Sequence, residues 1–158
     1  MVAQKANNDD ELGTTRHAAL ALERLAVELL QYRPSEARTH DLSVQQIIIM
    51  AAIADQPGCG VKALSEQTGI FQSTISRSLS GIMKKGLVRR EKSLADTRAV
   101  ELFLSEEGLR IIHGTRQEWR DRVSLMLADL PASDKATMLA GLDLLIGVIH
   151  RLSDEDCP

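Results

Sequence analysis

Residues 61–86 read VKALSEQTGIFQSTISRSLSGIMKKG, and the fold turns on them. Val61, Leu64 and Thr68 recur at steps of three and four, the period of one helix face. Gly69 then interrupts, as glycine does where a helix ends in a left-handed turn. A second helix follows over about 72–85, with Ile75, Leu79, Ile82 and Met83 as its buried stripe. At 3.6 residues per turn, Ser73, Arg77, Ser80 and Lys84 fall on the opposite side. This second helix is rich in serine, a mediocre helix former whose hydroxyl competes for backbone hydrogen bonds. Packing of the apolar stripe, rather than propensity, must therefore hold it.

Downstream the period changes. Val100, Leu102 and Leu104 alternate with Glu101 and Phe103, which is a strand signature. Paired with LVRREK (87–92) through the polar tip SLADT, this strand makes an antiparallel hairpin. Upstream, Ser43 with Gln46 three residues later predicts a capping box, and Leu42 with Ile47 a hydrophobic staple. The helix they open, QQIIIMAAIA, is apolar nearly all round, as expected of a central helix covered on most sides. It ends before the turn formers DQPGCG.

The outer segments have a different character. Residues 15–33 predict a helix with an apolar stripe at Ala18, Leu22, Leu25, Leu29 and Tyr32, stopped by Pro34 and followed by the polar connector RPSEARTHD. Ser105 is the expected N-cap of a long helix over 106–130, with Glu106 and Glu107 complementing its positive end. Leu109, Ile112, Arg116, Trp119, Val123, Met126 and Leu130 give that helix a seam. After Pro131, Ser133 is expected to cap a last helix with Met138, Leu142, Leu145, Ile149 and Leu152 in register. These seams lack a large core to face, so they predict a shared homodimer core.

The fold class expected is therefore mainly α with a small β-hairpin wing. Residues 1–13 form a flexible tail, 14–40 and 106–153 a helical dimerisation region, and 41–105 a winged helix-turn-helix lobe. Composition excludes several classes. No apolar run approaches the length of a membrane span, and the polar, acidic N-terminus is no secretory signal, so a cytoplasmic location is expected. The net charge of −3 hides an asymmetry. Residues 62–98 hold eight basic side chains (Lys62, Arg77, Lys84, Lys85, Arg89, Arg90, Lys92, Arg98) against three acids, while the rest of the chain is acidic. A basic block in an acidic chain suggests a polyanionic partner for that block.

A helix that enters the major groove must bring its backbone close to base edges and phosphates. Small hydroxyl side chains permit that approach and hydrogen-bond at both. The first turns of such a helix reach deepest, which singles out Gln72, Ser73, Thr74, Ser76 and Arg77. Gln72 suits adenine, and Arg77 suits guanine or a phosphate. Lys84 and, on the hairpin, Arg89, Arg90 and Lys92 lie where phosphates would pass. At the tip, Asp96 stands two residues from Arg98 and can orient its guanidinium toward a narrow minor groove.

The stretches LSVQQIIIMAAIA, ALSEQTGIFQSTISRSLSGIMKKGLVRR, DTR and LFLSEEG resemble the successive motifs of the MarR family of transcription regulators. By motif the resemblance covers about residues 40–110, and by layout the remaining helices. It implies a homodimer that binds double-stranded DNA at a palindromic operator, usually as a repressor. It also implies a small-molecule effector site between the dimerisation helices and the lobes. Effectors typical of such a family are aromatic or phenolic acids or their coenzyme A thioesters, for which His17, Arg38, His40 and Trp119 are the candidate residues. Two positions depart from the pattern. Phe71 stands where the family often has a capping Ser or Thr, and SLSG (Ser78–Gly81) replaces larger side chains.

Two other readings compete: a winged-helix module that meets an acidic protein partner, and a redox-sensing regulator acting through Cys59. An enzyme is not expected, since the chain has no phosphate loop, nucleophile elbow or paired-carboxylate motif. No metal or other cofactor is expected either, because His17, His40, Cys59, His113 and His150 show no ligand spacing.

Overall fold

A computed structural model of the chain describes residues 2–92 and 100–155. The element order is α1 (Val2–Gln31), α2 (Ser35–Thr39), α3 (Val44–Asp55), α4 (Val61–Thr68), α5 (Gln72–Lys84), β1 (Val88–Lys92), β2 (Val100–Leu104), α6 (Glu106–Leu127) and α7 (Ala132–Glu155). The chain divides into two compact units, Met1–Arg116 and Gln117–Pro158, and α6 runs through the boundary.

In the first unit the core belongs to α2 through the start of α6. Leu42, Ile49, Met50, Ile53, Leu64, Ile75, Leu79, Ile82, Leu102 and Ile111 are fully buried, with Ile112 almost so. The predicted capping box starts α3: Ser43 Oγ accepts from Gln46 N at 3.2 Å, and Gln46 Oε1 accepts from Ser43 N at 3.0 Å. The helix is covered on most sides as expected, with only Ile48 (44% exposed) and Asp55 open to solvent. Its buried residues, Ile49, Met50, Ala52 and Ile53, form one stripe.

Gly69 takes φ +67° and closes α4 by donating to Ser65 O at 3.0 Å. After α5, Gly86 at φ +71° donates to Met83 O at 2.9 Å and turns the chain into the hairpin. β1 and β2 pair antiparallel with Val88 opposite Leu104 and Lys92 opposite Val100. The backbone at Gly58 and Cys59 extends the sheet on the other side of β2: Gly58 N donates to Leu102 O, and Leu102 N to Cys59 O. Ser105 caps α6, accepting from Gly108 N at 3.1 Å. A Cβ on Gly108 would stand 2.3 Å from Leu87 O, so only glycine lets α6 begin this close to the hairpin.

Several expectations are corrected. α1 begins at Val2 rather than near residue 15, so most of the expected 1–13 tail is helical. Residues 2–12 contain no proline or glycine, and Ala, Gln, Lys, Glu and Leu there sustain a helix. The polar connector contains a short helix, α2, because Pro34 suits a helix start and Ala37 can bury its methyl. Arg116 does not belong to an apolar seam; its Nη2 donates to both Asp55 oxygens at 2.8 and 2.7 Å. Ser133 does not cap α7, which already starts at Ala132, and Pro131 O accepts from Asp134 N and Lys135 N.

In the second unit no described residue is buried. Trp119, Leu125, Met126, Leu130, Leu139, Leu142, Leu144, Ile146, Val148 and Ile149 are all exposed there. The described side chains of α1, residues 13–28 and 31, are likewise exposed.

Candidate nucleic-acid interface

α5 is strongly two-sided. Ile75, Leu79 and Ile82 are buried, while Gln72, Ser73, Ser76, Arg77, Ser80 and Lys84 are exposed and Thr74 is half-buried. Ser76 thus faces outward, and its carbonyl accepts from Ser80 Oγ at 3.1 Å. No acidic residue occurs between Glu66 and Glu91, so the outward face of α5 is neutral to basic and carries short side chains near its start.

The SLSG segment has a packing explanation. Ser78 Oγ makes a long hydrogen bond of 3.4 Å to Gln45 Oε1 on α3. A Cβ at Gly81 would lie 3.1 Å from Gln46 Nε2. Small residues on this side of α5 therefore admit the glutamines of the α3 capping turn. At the far end, Lys85 Nζ donates to the carbonyls of His40 (2.8 Å) and Asp41 (2.5 Å), tying the end of α5 to the connector before α3. Asp41 holds φ +48°, which presents its carbonyl to the ammonium.

The hairpin supplies the second part of the face. Arg89 Nε pairs with Glu91 Oε1 at 2.8 Å, and its guanidinium lies 5.4 Å from the Phe103 ring centroid. Arg89 thus stands over an aromatic ring and is partly neutralised by Glu91. Arg90 and Lys92 are exposed and alternate with it along β1. Asp96 and Arg98 lie outside the described residues.

The effector candidates separate. His17 and Arg38 are exposed on α1 and α2, while Trp119 sits on α6 in the second unit. His40 is taken up by a polar cluster that sequence reading missed. Its Nε2 lies 3.6 Å from Glu36 Oε2, 3.5 Å from Glu107 Oε1 and 3.4 Å from Arg110 Nη2. Arg110 also donates to both Glu107 oxygens, at 2.8 and 2.7 Å, and to Glu36 at 3.1 Å. The hydrogen bonds from Arg110 hold the Glu107 carboxyl below its usual range, and the nearby charges of Arg110 and His40 add to this. The three-residue spacing of Glu107 and Arg110 is visible in sequence. Their link to α2 is not. An open pocket beside this connector is lined by Arg33, Asp41, Ser43, Val44, Gln46 and Lys85, with Arg33 Nη2 donating to Leu42 O at 2.8 Å.

Cys59 is buried, and burial pushes its thiol pKa up, opposed by a hydrogen bond to its own backbone. That disfavours the thiolate a redox sensor needs. Among the described residues, no group of three or more His, Cys, Asp or Glu side chains could hold a metal ion. No described helix is long and apolar enough to cross a membrane.

Comparison with known proteins agrees with this geometry. Residues 40–99 match the model of the MarR family. The chain is 39% identical over 72 residues to the transcriptional regulator HosA of Escherichia coli O157:H7; this match covers 46% of the chain and 53% of HosA. The chain thus spans about half the length of that curated relative. Among solved structures it is similar to Streptococcus pneumoniae FabT in complex with DNA, with a TM-score of 0.69 and 22% identity, covering 91% of this chain and 96% of FabT. It is also similar to the PcaV transcriptional regulator of Streptomyces coelicolor in complex with its natural ligand, with a TM-score of 0.58 and 25% identity, covering 82% and 89% of the two chains.

Proposed function

We propose that this chain, with its MarR-family lobe, is a dimeric, sequence-specific DNA-binding transcription regulator, acting as a repressor at a palindromic operator. The observation that carries the reading is the outward face of α5. It is free of acids, built of short hydroxyl side chains near its start, and held rigidly from behind by Ile75, Leu79 and Ile82. Such a face lets the backbone approach base edges. Gln72, Ser73, Thr74, Ser76 and Arg77 contact the major groove, and Lys84, Arg90 and Lys92 contact phosphates. Arg89 contributes less, since Glu91 already answers its charge. Asp96 and Arg98 are assigned to the minor groove on sequence alone.

Dimerisation is supported by the exposed apolar side chains of α1, the end of α6 and α7. Burying even a few leucines contributes roughly 1.5–3 kcal/mol each. Release by an aromatic or phenolic acid, or its thioester, completes the reading; the PcaV complex shows that a similar fold accepts a ligand. With Cys59 buried, redox sensing there is the weaker alternative.

Footprinting on the protein's own upstream region, with and without a panel of such acids and thioesters, tests all three parts. A symmetric protected site that is lost with one effector supports them. Protection that follows no sequence would favour the module that binds an acidic protein.

A further inference from the structure

The side chain least accounted for at the start of α5 is Phe71. It is 81% exposed, while its neighbour Ile70 packs against the core. It stands at the N-cap of α5 but supplies no side-chain cap. Its backbone is well fixed all the same: the carbonyl accepts from Thr74 N at 2.9 Å and Ile75 N at 3.0 Å. The fold therefore holds a large apolar ring in solvent at the start of α5, immediately before Gln72 and Ser73 in the chain.

Resting on the DNA-binding reading above, we infer that Phe71 is a specificity-determining residue that packs on the 5-methyl group of a thymine in each operator half-site. The start of a recognition helix lies nearest the base edges. Along the major-groove edge, the thymine methyl is the one apolar group that a base pair presents. The remaining edge groups are hydrogen-bonding, and covering them with a phenyl ring would leave them unsatisfied. Phe71 therefore selects for thymine at its position and against cytosine, whereas the capping hydroxyl it replaces would be indifferent to the methyl group.

The test uses full-length protein and duplexes that the wild type enriches from a randomised library. Each thymine of an enriched duplex is replaced in turn by uracil, which removes only the methyl group. Wild type should lose about fourfold in affinity at one thymine per half-site, the value of burying one methyl-sized group. Phe71→Ala should bind the thymine and uracil duplexes equally, and Phe71→Leu should keep part of the preference. Circular dichroism should report unchanged folding, since the ring is outside the core. An unmoved thymine-to-uracil ratio in Phe71→Ala, or a wild type indifferent to every replacement, overturns the inference and leaves DNA recognition standing. Failure of the wild type to enrich any sequence would overturn both.

Discussion

The lobe from α2 to the start of α6 and the segment from residue 117 onward solve the same problem differently. Both are rich in Leu, Ile, Val and Met. In the lobe most of these side chains enter one core, and Ile48, Phe71, Val100 and Leu109 are the large apolar ones left exposed. From 117 onward none of the described ones is buried, and α1 shares that character. Helical periodicity alone shows that a face is apolar; it does not show what covers it. In the proposed function the lobe reads DNA, and the helices with bare seams bring two lobes to one operator.

A charge in the bare seam should have the largest effect. Leu142→Asp, at a residue 39% exposed in the single chain, is expected to give monomers by light scattering. Operator affinity should fall on the order of 100-fold or more, because the second half-site contact is no longer tethered. Dimers that bind normally would remove α7 from the interface. Next, Leu79→Ala in the lobe core should destabilise by about 2–5 kcal/mol in denaturant unfolding, the usual outcome of opening a cavity at a fully buried leucine. A change close to zero would show that the lobe is not the stable half of the comparison.

Smaller effects refine the account. Ser43→Ala breaks the α3 capping box and should cost about 1 kcal/mol. The smallest effect concerns acid. Glu107 titrates lower in the folded chain than in the unfolded one, so its contribution is present above the unfolded carboxylate pKa and fades as pH falls through the folded value. Glu107→Gln should therefore flatten the fall of melting temperature with acidification, while leaving the neutral-pH slope alone. An unchanged acid limb would mean that this exposed cluster adds nothing measurable.

Local signals were the legible ones. The capping box, the Gly69 turn and the period change at Val100 each rest on residues a few positions apart, and all three appear in the structure. The side chains facing outward on α5 were likewise fixed by helical period once Ile75, Leu79 and Ile82 were read as buried. What escaped depends on distant partners. Gly81 makes sense only beside Gln46, and Ser78 beside Gln45, whose positions sequence spacing cannot place. His40 is a ligand candidate by residue type, yet its neighbours Glu107 and Arg110 come from α6, with Arg110 70 residues along the chain. Ser133 looked like a cap because the residue type fits, but the proline two places earlier had already opened the helix.

The central claim is that the outward face of α5 reads sequence in a dimer. It is tested most directly by titrating wild-type protein against the footprinted upstream duplex and a scrambled duplex of equal composition, at one salt concentration. The account predicts a preference of about a thousandfold or more, with two chains per specific duplex. Equal affinity for the two duplexes would contradict it.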